Sequence, residues 1–205
     1  MKIGPKYKIA RRLGAPIFEK TQTQKFALSE SKKGKSGGRN QRRRTKTQYG
    51  IQMAEKQKAR FTYGVSERQF GNYVKQAMQV SGKKPSEALF EGLERRADNV
   101  IYRVGFAPTR TAARQMVSHG HILVNGRKIT IPSYKLTDND VISIREGSKE
   151  KKIFENIDEK IAERTENNWL SVDVKKKTVT IQAVPTLSGT DLLFDLDVVI
   201  EFYSR

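Results

Sequence analysis

Residues 95–134 read RRADNVIYRVGFAPTRTAARQMVSHGHILVNGRKITIPSY, and this run decides the fold. Leu89, Leu93, Ala97, Val100, Ile101 and Val104 lie on one helical stripe that leads into it. Gly105 is expected to close that helix in the left-handed region, where a residue without Cβ sits at no steric cost. Pro108-Thr109 restarts the chain. Thr109 has the oxygen that an N-cap needs, so a short helix is expected over 110–118, closed at Gly120. Two β-rich runs then flank Asn125-Gly126. Both central residues of a tight hairpin turn need positive φ, which makes Asn-Gly in this setting a strong hairpin signal.

Working outward, Val141–Arg145 reads as a third strand after the turn at 138–140. Ile153, Phe154, Ile157, Ile161 and Ala162 form the stripe of another helix. Residues 170–174 and 178–183 make a second hairpin across Lys175, Lys176 and Lys177, and Pro185 breaks that sheet. Upstream, Ile51, Met53, Ala54, Phe61, Val65, Phe70, Tyr73, Val74 and Met78 recur at helical spacing. Gly64 and Ser66 mark a break there, with Ser66 as the next N-cap, and residues 81–85 are a linker. Residues 1–48 look irregular. The tail 195–205 fits two readings: Val198, Val199 and Ile200 favour a strand, while Asp195 and Asp197 suit a helix start.

Charge points to the partner. The 205 residues carry 40 Lys/Arg against 22 Asp/Glu, and residues 1–60 hold 18 of the former and 3 of the latter, a net of +15. A surplus this concentrated calls for a polyanion, with nucleic acid first. The run SESKKGKSGGRNQRRRTKT has little to bury and repels itself, so it is expected to order on that partner. Cysteine is absent, which removes disulfides, thiolate catalysis and Cys-type zinc sites. No apolar run reaches the length of a membrane-spanning helix, and the opening MKIGPKYKIARRLGAP has no signal-peptide core.

Chemistry-bearing residues gather on the central run. Arg95, Arg96, Asn99, Arg103, Arg110 and Arg114 decorate the helix pair, and His119, His121, Asn125, Arg127 and Lys128 follow at the helix end and hairpin tip. Guanidinium groups match phosphate bidentately, so a basic helix face can lie along an RNA backbone. Arg12, Arg39, Arg42, Arg43, Arg44, Tyr49, Lys56, Lys58 and Arg60 add basic and aromatic candidates upstream. Tyr49, Phe61 and Tyr63 suit base stacking and core packing equally, whereas Trp169 reads as core. Two histidines without Cys or acids make a poor metal site, 138–140 lacks the rest of a calcium loop, and 34–38 lacks the strand and ending of a phosphate loop. No nucleophile–base pair or cofactor loop stands out, so an enzyme is not expected, and no cofactor.

The central run, with YGIQMAEKQKARFTYGVSERQF upstream and VVIEFYSR at the end, resembles the bacterial small-subunit ribosomal protein four (uS4) family in its cysteine-free form, over about residues 40–205. The resemblance implies an α+β fold: a discontinuous helical domain (46–93, with 184–205 returning to it), an inserted RNA-binding domain (94–183, module core 94–145) of a helix-turn-helix-like pair plus about five antiparallel strands, and a basic extension (1–45). It implies a primary binder of small-subunit (16S) ribosomal RNA at a multi-helix junction, early in assembly, in the cytoplasm. The implied neighbours are small-subunit proteins five and three, with Gln52, Glu201 and Tyr203 on the protein side. An influence on decoding accuracy and, in some bacteria, repression of its own messenger are implied too; a membrane or a homo-oligomer is not. The family's Pro-Pro-Gly-x-His-Gly stretch is replaced here by GKSGGRNQRRRTKTQYG, so its N-terminal contacts transfer least. Two rivals use the same module. A pseudouridine synthase needs a large catalytic domain with an essential Asp, for which there is no room. A stress-response factor lacks the matching flanks.

Overall fold

The computed structural model describes residues 3–36, 47–154, 157–162, 168–187 and 192–204. Arg39, Arg42, Arg43 and Arg44 lie outside the described residues. The chain divides into two compact units: Met1–Ser86 with Ser188–Arg205, and Glu87–Leu187.

The first unit is helical. Helix α1 (Lys6–Leu13) and helix α2 (Gln24–Ser36) fall where an irregular stretch was expected, and that expectation is corrected. Ala10, Leu13, Ile17, Phe18 and Phe26 form a small core that Ala54 and Phe61 help to cover. The apolar residues are few, and only their meeting in space makes helices of so polar a segment. Helix α3 (Gln48–Tyr63) carries Ala54 and Phe61 and ends at Gly64, φ +63°; helix α4 (Glu67–Gln79) starts where the Ser66 hydroxyl accepts from the Gln69 amide at 3.3 Å. The C-terminal tail is the last helix of the chain, α9 (Leu196–Tyr203), because the Asp195 carboxylate accepts from the Asp197 and Val198 amides at 2.8 and 3.3 Å. Its Leu196 and Val199 are buried.

The second unit sets helices against a sheet. The stripe expected as one helix is two, α5 (Pro85–Glu94) and α6 (Ala97–Val104). Between them Arg96 is extended (φ −72°, ψ 136°) and bridges Lys135. The Leu136 amide donates to the Arg95 carbonyl and the Ala97 amide to the Tyr134 carbonyl, both at 2.9 Å. Apolar periodicity survives such a break, which is why spacing did not reveal it. Helix α7 (Arg110–Ser118) is capped by Thr109, whose hydroxyl accepts from Ala112 at 3.1 Å.

Strands β1 (Ile122–Val124), β2 (Arg127–Lys128), β3 (Val141–Ile144), β4 (Leu170–Asp173) and β5 (Thr178–Ile181) form one antiparallel sheet in the order β2-β1-β3-β5-β4. Ile122, Val124, Ile142, Ile144, Val179 and Ile181 point to one face and are buried there with Val100, Ile101, Val104, Ala113, Met116 and Val117. A short helix α8 (Ile157–Ala162) adds Ile157 and Ile161 to the same core, and half-buried Trp169 packs on it at the start of β4. The β1–β2 turn has Asn125 at φ +49° and Gly126 at φ +76°.

Candidate nucleic-acid interface

Two buried carboxylates organise the helix pair. Glu94 is fully buried and accepts from Arg103 through Nε and Nη2, both at 2.9 Å, and from the Asn99 amide at 2.8 Å. Asn99 passes the chain of bonds outward, its Oδ1 accepting from Arg110 Nε at 2.8 Å, and the Arg110 guanidinium stacks 4.3 Å above the Tyr102 ring. Asp98, also buried, accepts from Arg96 at 2.8 and 3.0 Å and from Arg114 at 2.7 and 3.0 Å. Arg96 is sealed inside with it, while the Arg103 and Arg114 side chains keep 26% and 28% exposure. Arg95, nearly buried, pairs with Asp138 at 2.7 Å. The helix pair therefore presents Arg103, Arg110 and Arg114 with their orientation already fixed from beneath.

The hairpin works differently. Asn125 is a fastener: its Oδ1 accepts from the Val141 amide at 2.9 Å and its amide donates to Asp140 at 2.8 Å. Burial raises the Asp140 carboxyl's affinity for a proton, but the Thr137 amide, the Asn125 amide and the Thr137 hydroxyl together hold it below its ordinary value. Arg127 and Lys128 are exposed on β2. His119 is exposed at the end of α7, and His121 is buried with Nδ1 2.9 Å from the Ser148 hydroxyl. Burial lowers the His121 imidazole pKa, and the charges of Lys151, His119, Arg145 and Lys128 push it the same way. Among the described residues no cluster of three metal-ligating side chains occurs, and no helix is long and apolar enough to cross a membrane.

In the helical unit Lys56 is buried, its ammonium 2.7 Å from Glu67 and 4.6 Å from the Phe202 ring centroid. Tyr203 donates to the same Glu67 oxygen at 3.1 Å, and Arg60 approaches Glu67 at 3.3 Å. Burial, then the Glu67 charge and hydrogen bond, push the Tyr203 hydroxyl's pKa upward. Lys58 pairs with Glu55 at 2.6 Å. Gln52 is buried, Glu201 and Arg12 are exposed, and Tyr49 lies exposed against Phe202 with ring centroids 5.6 Å apart. Tyr63 is core, edge-on to Phe194.

Two family descriptions cover this chain from its start to residue 142: the S4 domain over residues 95–142, and the ribosomal protein S4/S9 N-terminal domain over residues 1–94. The small ribosomal subunit protein uS4 of Thermotoga maritima is 45% identical over 98% of each chain, and that of Hahella chejuensis 43% identical over 99% of this chain and 98% of its own. The chain belongs to the uS4 family. Within this uS4 chain the S4 domain spans the helix pair, the first hairpin and the start of β3.

Sequence reasoning found the arginines and missed what holds them. Glu94 and Asp98 carry no motif signal, and only opposite charges two to sixteen residues away hint at their partners. Lys135, Arg145 and Lys151 were also missed as surface cations. The Arg145 amide donates to the His121 carbonyl at 2.9 Å, and the Arg145 charge acts on the His121 ring. That neighbour relation is made by the β1–β3 pairing and is absent from local sequence.

Proposed function

We propose that this chain is an RNA-binding structural constituent of the small ribosomal subunit, resident on the cytoplasmic ribosome and not an enzyme. The observation that carries the reading is the braced set Arg103, Arg110 and Arg114 on the S4-domain helix pair. Their rotamer freedom is already spent on folding, so little is lost again on meeting phosphate. The RNA is a folded multi-helix junction of the small-subunit ribosomal RNA. Duplex RNA hides its base edges, so a rigid basic surface reads shape, and phosphates supply affinity.

In this reading Arg103, Arg110, Arg114, His119, Arg127 and Lys128 touch RNA, and Arg95, Arg96, Asn99, His121 and Asn125 hold them in place. Residues 94–183, within the compact unit Glu87–Leu187, are the RNA-binding insertion. Arg12, Tyr49, Lys58, Arg60 and the basic residues 39–44 extend the contact, with Lys56 a support. Gln52, Glu201 and Tyr203 belong to the side facing small-subunit proteins five and three. Binding nucleates assembly and contributes to decoding accuracy, and a junction of similar shape in its own messenger is a second target.

The test is filter binding of the full chain to small-subunit ribosomal RNA, with a plain RNA duplex as competitor. Arg110→Ala should weaken junction binding, and Arg110→Lys should rescue only part of it, because the charge returns without the fork. Equal affinity for junction and duplex would overturn the shape reading.

A further inference from the structure

Beside α7 lies a recess that the braced arginines do not use. Pro108, Ala112, Met116 and Ile153 give it apolar walls, Gln115, His119 and Lys160 give it polar edges, and its volume is about 290 Å³. Ile153 is 48% exposed, so its side chain is open to a partner at the recess. His121 also lines it, and the charges of Lys151, Arg145 and Lys128 all act on that ring. The Arg145 amide is bonded to the His121 carbonyl, and the Lys151 amide donates to the Ser148 carbonyl, whose hydroxyl meets His121. The Lys128 stem lies where a Cβ at Gly120 would sit, a position at φ +69°.

We propose that this recess receives one unstacked nucleobase of RNA, with the nucleotide's phosphates held by Lys128, Arg145 and Lys151. The inference deepens the RNA-binding reading above and rests on it. The volume suits a single flat ring with its sugar and is far too small for a duplex. A base has two apolar faces and a polar edge. Pro108, Ala112 and Ile153 offer apolar surface to a face, with the nearly buried Met116 also in the lining, and the exposed Gln115 amide offers a donor and an acceptor to the edge. Exposed His119 can stack on the ring. Single-stranded and bulged nucleotides are the part of a folded RNA whose bases are available to such a site. An apolar protein side chain would fill the same walls but has no use for the cations.

The first test is methyl NMR of the full chain labelled at Met and Ile. Adenosine 5′-monophosphate should shift the Met116 and Ile153 methyl signals upfield by its ring current, and ribose 5-phosphate should not. Equal shifts from both would leave only a phosphate site, and no shift from either would leave nothing; each overturns the proposal. So does a response to N-acetylleucinamide without one to the nucleotide, which would assign the recess to a protein side chain. The second test is Ile153→Glu in filter binding to small-subunit ribosomal RNA. Ile153 is half exposed, so the fold should tolerate the change, and loss of one stacked base should weaken binding about 5- to 150-fold. If Arg110→Ala weakens binding and Ile153→Glu does not, the recess falls and the RNA-binding reading stands. If neither weakens it, the parent reading falls as well.

Discussion

The helix pair and the hairpin tip carry the same kind of cation and hold it in opposite ways. On α6 and α7 each guanidinium is tied to a buried acceptor, Glu94, Asp98 or Asn99. On β2, Arg127 and Lys128 stand exposed in water. The first arrangement makes the cations part of the fold, so they arrive at a partner already oriented. The second leaves them as adjustable charge. An arginine in the first region and one in the second are therefore not equivalent targets, although the sequence writes both with the same letter.

The contrast breaks first at Asp98. Asp98→Ala removes the carboxylate under Arg96 and Arg114 and leaves a sealed guanidinium without it, so urea unfolding should show a drop in stability of about 3–5 kcal/mol. A drop below about 1 kcal/mol would mean the brace is dispensable. Next come two glycines at positive φ, one in each region. A Cβ at Gly105 would overlap the Lys160 carbonyl, whereas one at Gly126 meets nothing within 4 Å. Gly105→Ala should cost about 3 kcal/mol, strain plus overlap, and Gly126→Ala about 1 kcal/mol, strain alone. Equal destabilisation in thermal melts would erase the difference between the regions.

Arg127→Ala with Lys128→Ala sharpens the other side. Stability should change by under about 0.5 kcal/mol. The slope of log affinity for ribosomal RNA against log salt should fall by about two, one for each phosphate the protein no longer neutralises. The smallest effect is at His121. Its pKa in the fold is lowered from the ordinary 6.5, so the folded protein favours the neutral ring and the unfolded chain takes up the proton first. Stability from this group is complete above pH 6.5 and declines as pH falls below it toward the folded value. Urea midpoints measured at about pH 7.5 and about pH 5.5, on either side of the ordinary histidine pKa, should differ in the parent protein. The difference should shrink in His121→Asn.

Local chemistry was legible where one residue decides one geometry. Thr109 and Ser66 cap helices through their own hydroxyls, and Gly105, Gly126 and Asn125 sit at positive φ where the chain must turn. The sheet order, by contrast, follows from which strands meet, and β3 lies between β1 and β5 although 33 residues separate it from the latter. Burial of a charge is equally invisible in the letters. Arg95, Arg96, Asn99 and His121 read as surface contacts and turn out to face inward, because acids and a hydroxyl wait for them there.

By itself the sequence determined the helix pair, the Asn-Gly hairpin, the concentration of positive charge and the uS4 resemblance, since each depends on residues close together in the chain. Tertiary structure alone decided three things. It broke the stripe at Arg95-Arg96, because the 132–136 segment supplies backbone partners that a continuous helix would forgo. It made helices of 6–13 and 24–36, because their few apolar side chains find each other and α3. It chose a helix for the tail, because Asp195 caps the first turn and Leu196 and Val199 are buried. The first two outcomes depend on contacts between residues distant in sequence, which no local pattern encodes; the tail carried a local cap signal at Asp195, and burial of Leu196 and Val199 decided between it and the strand signal.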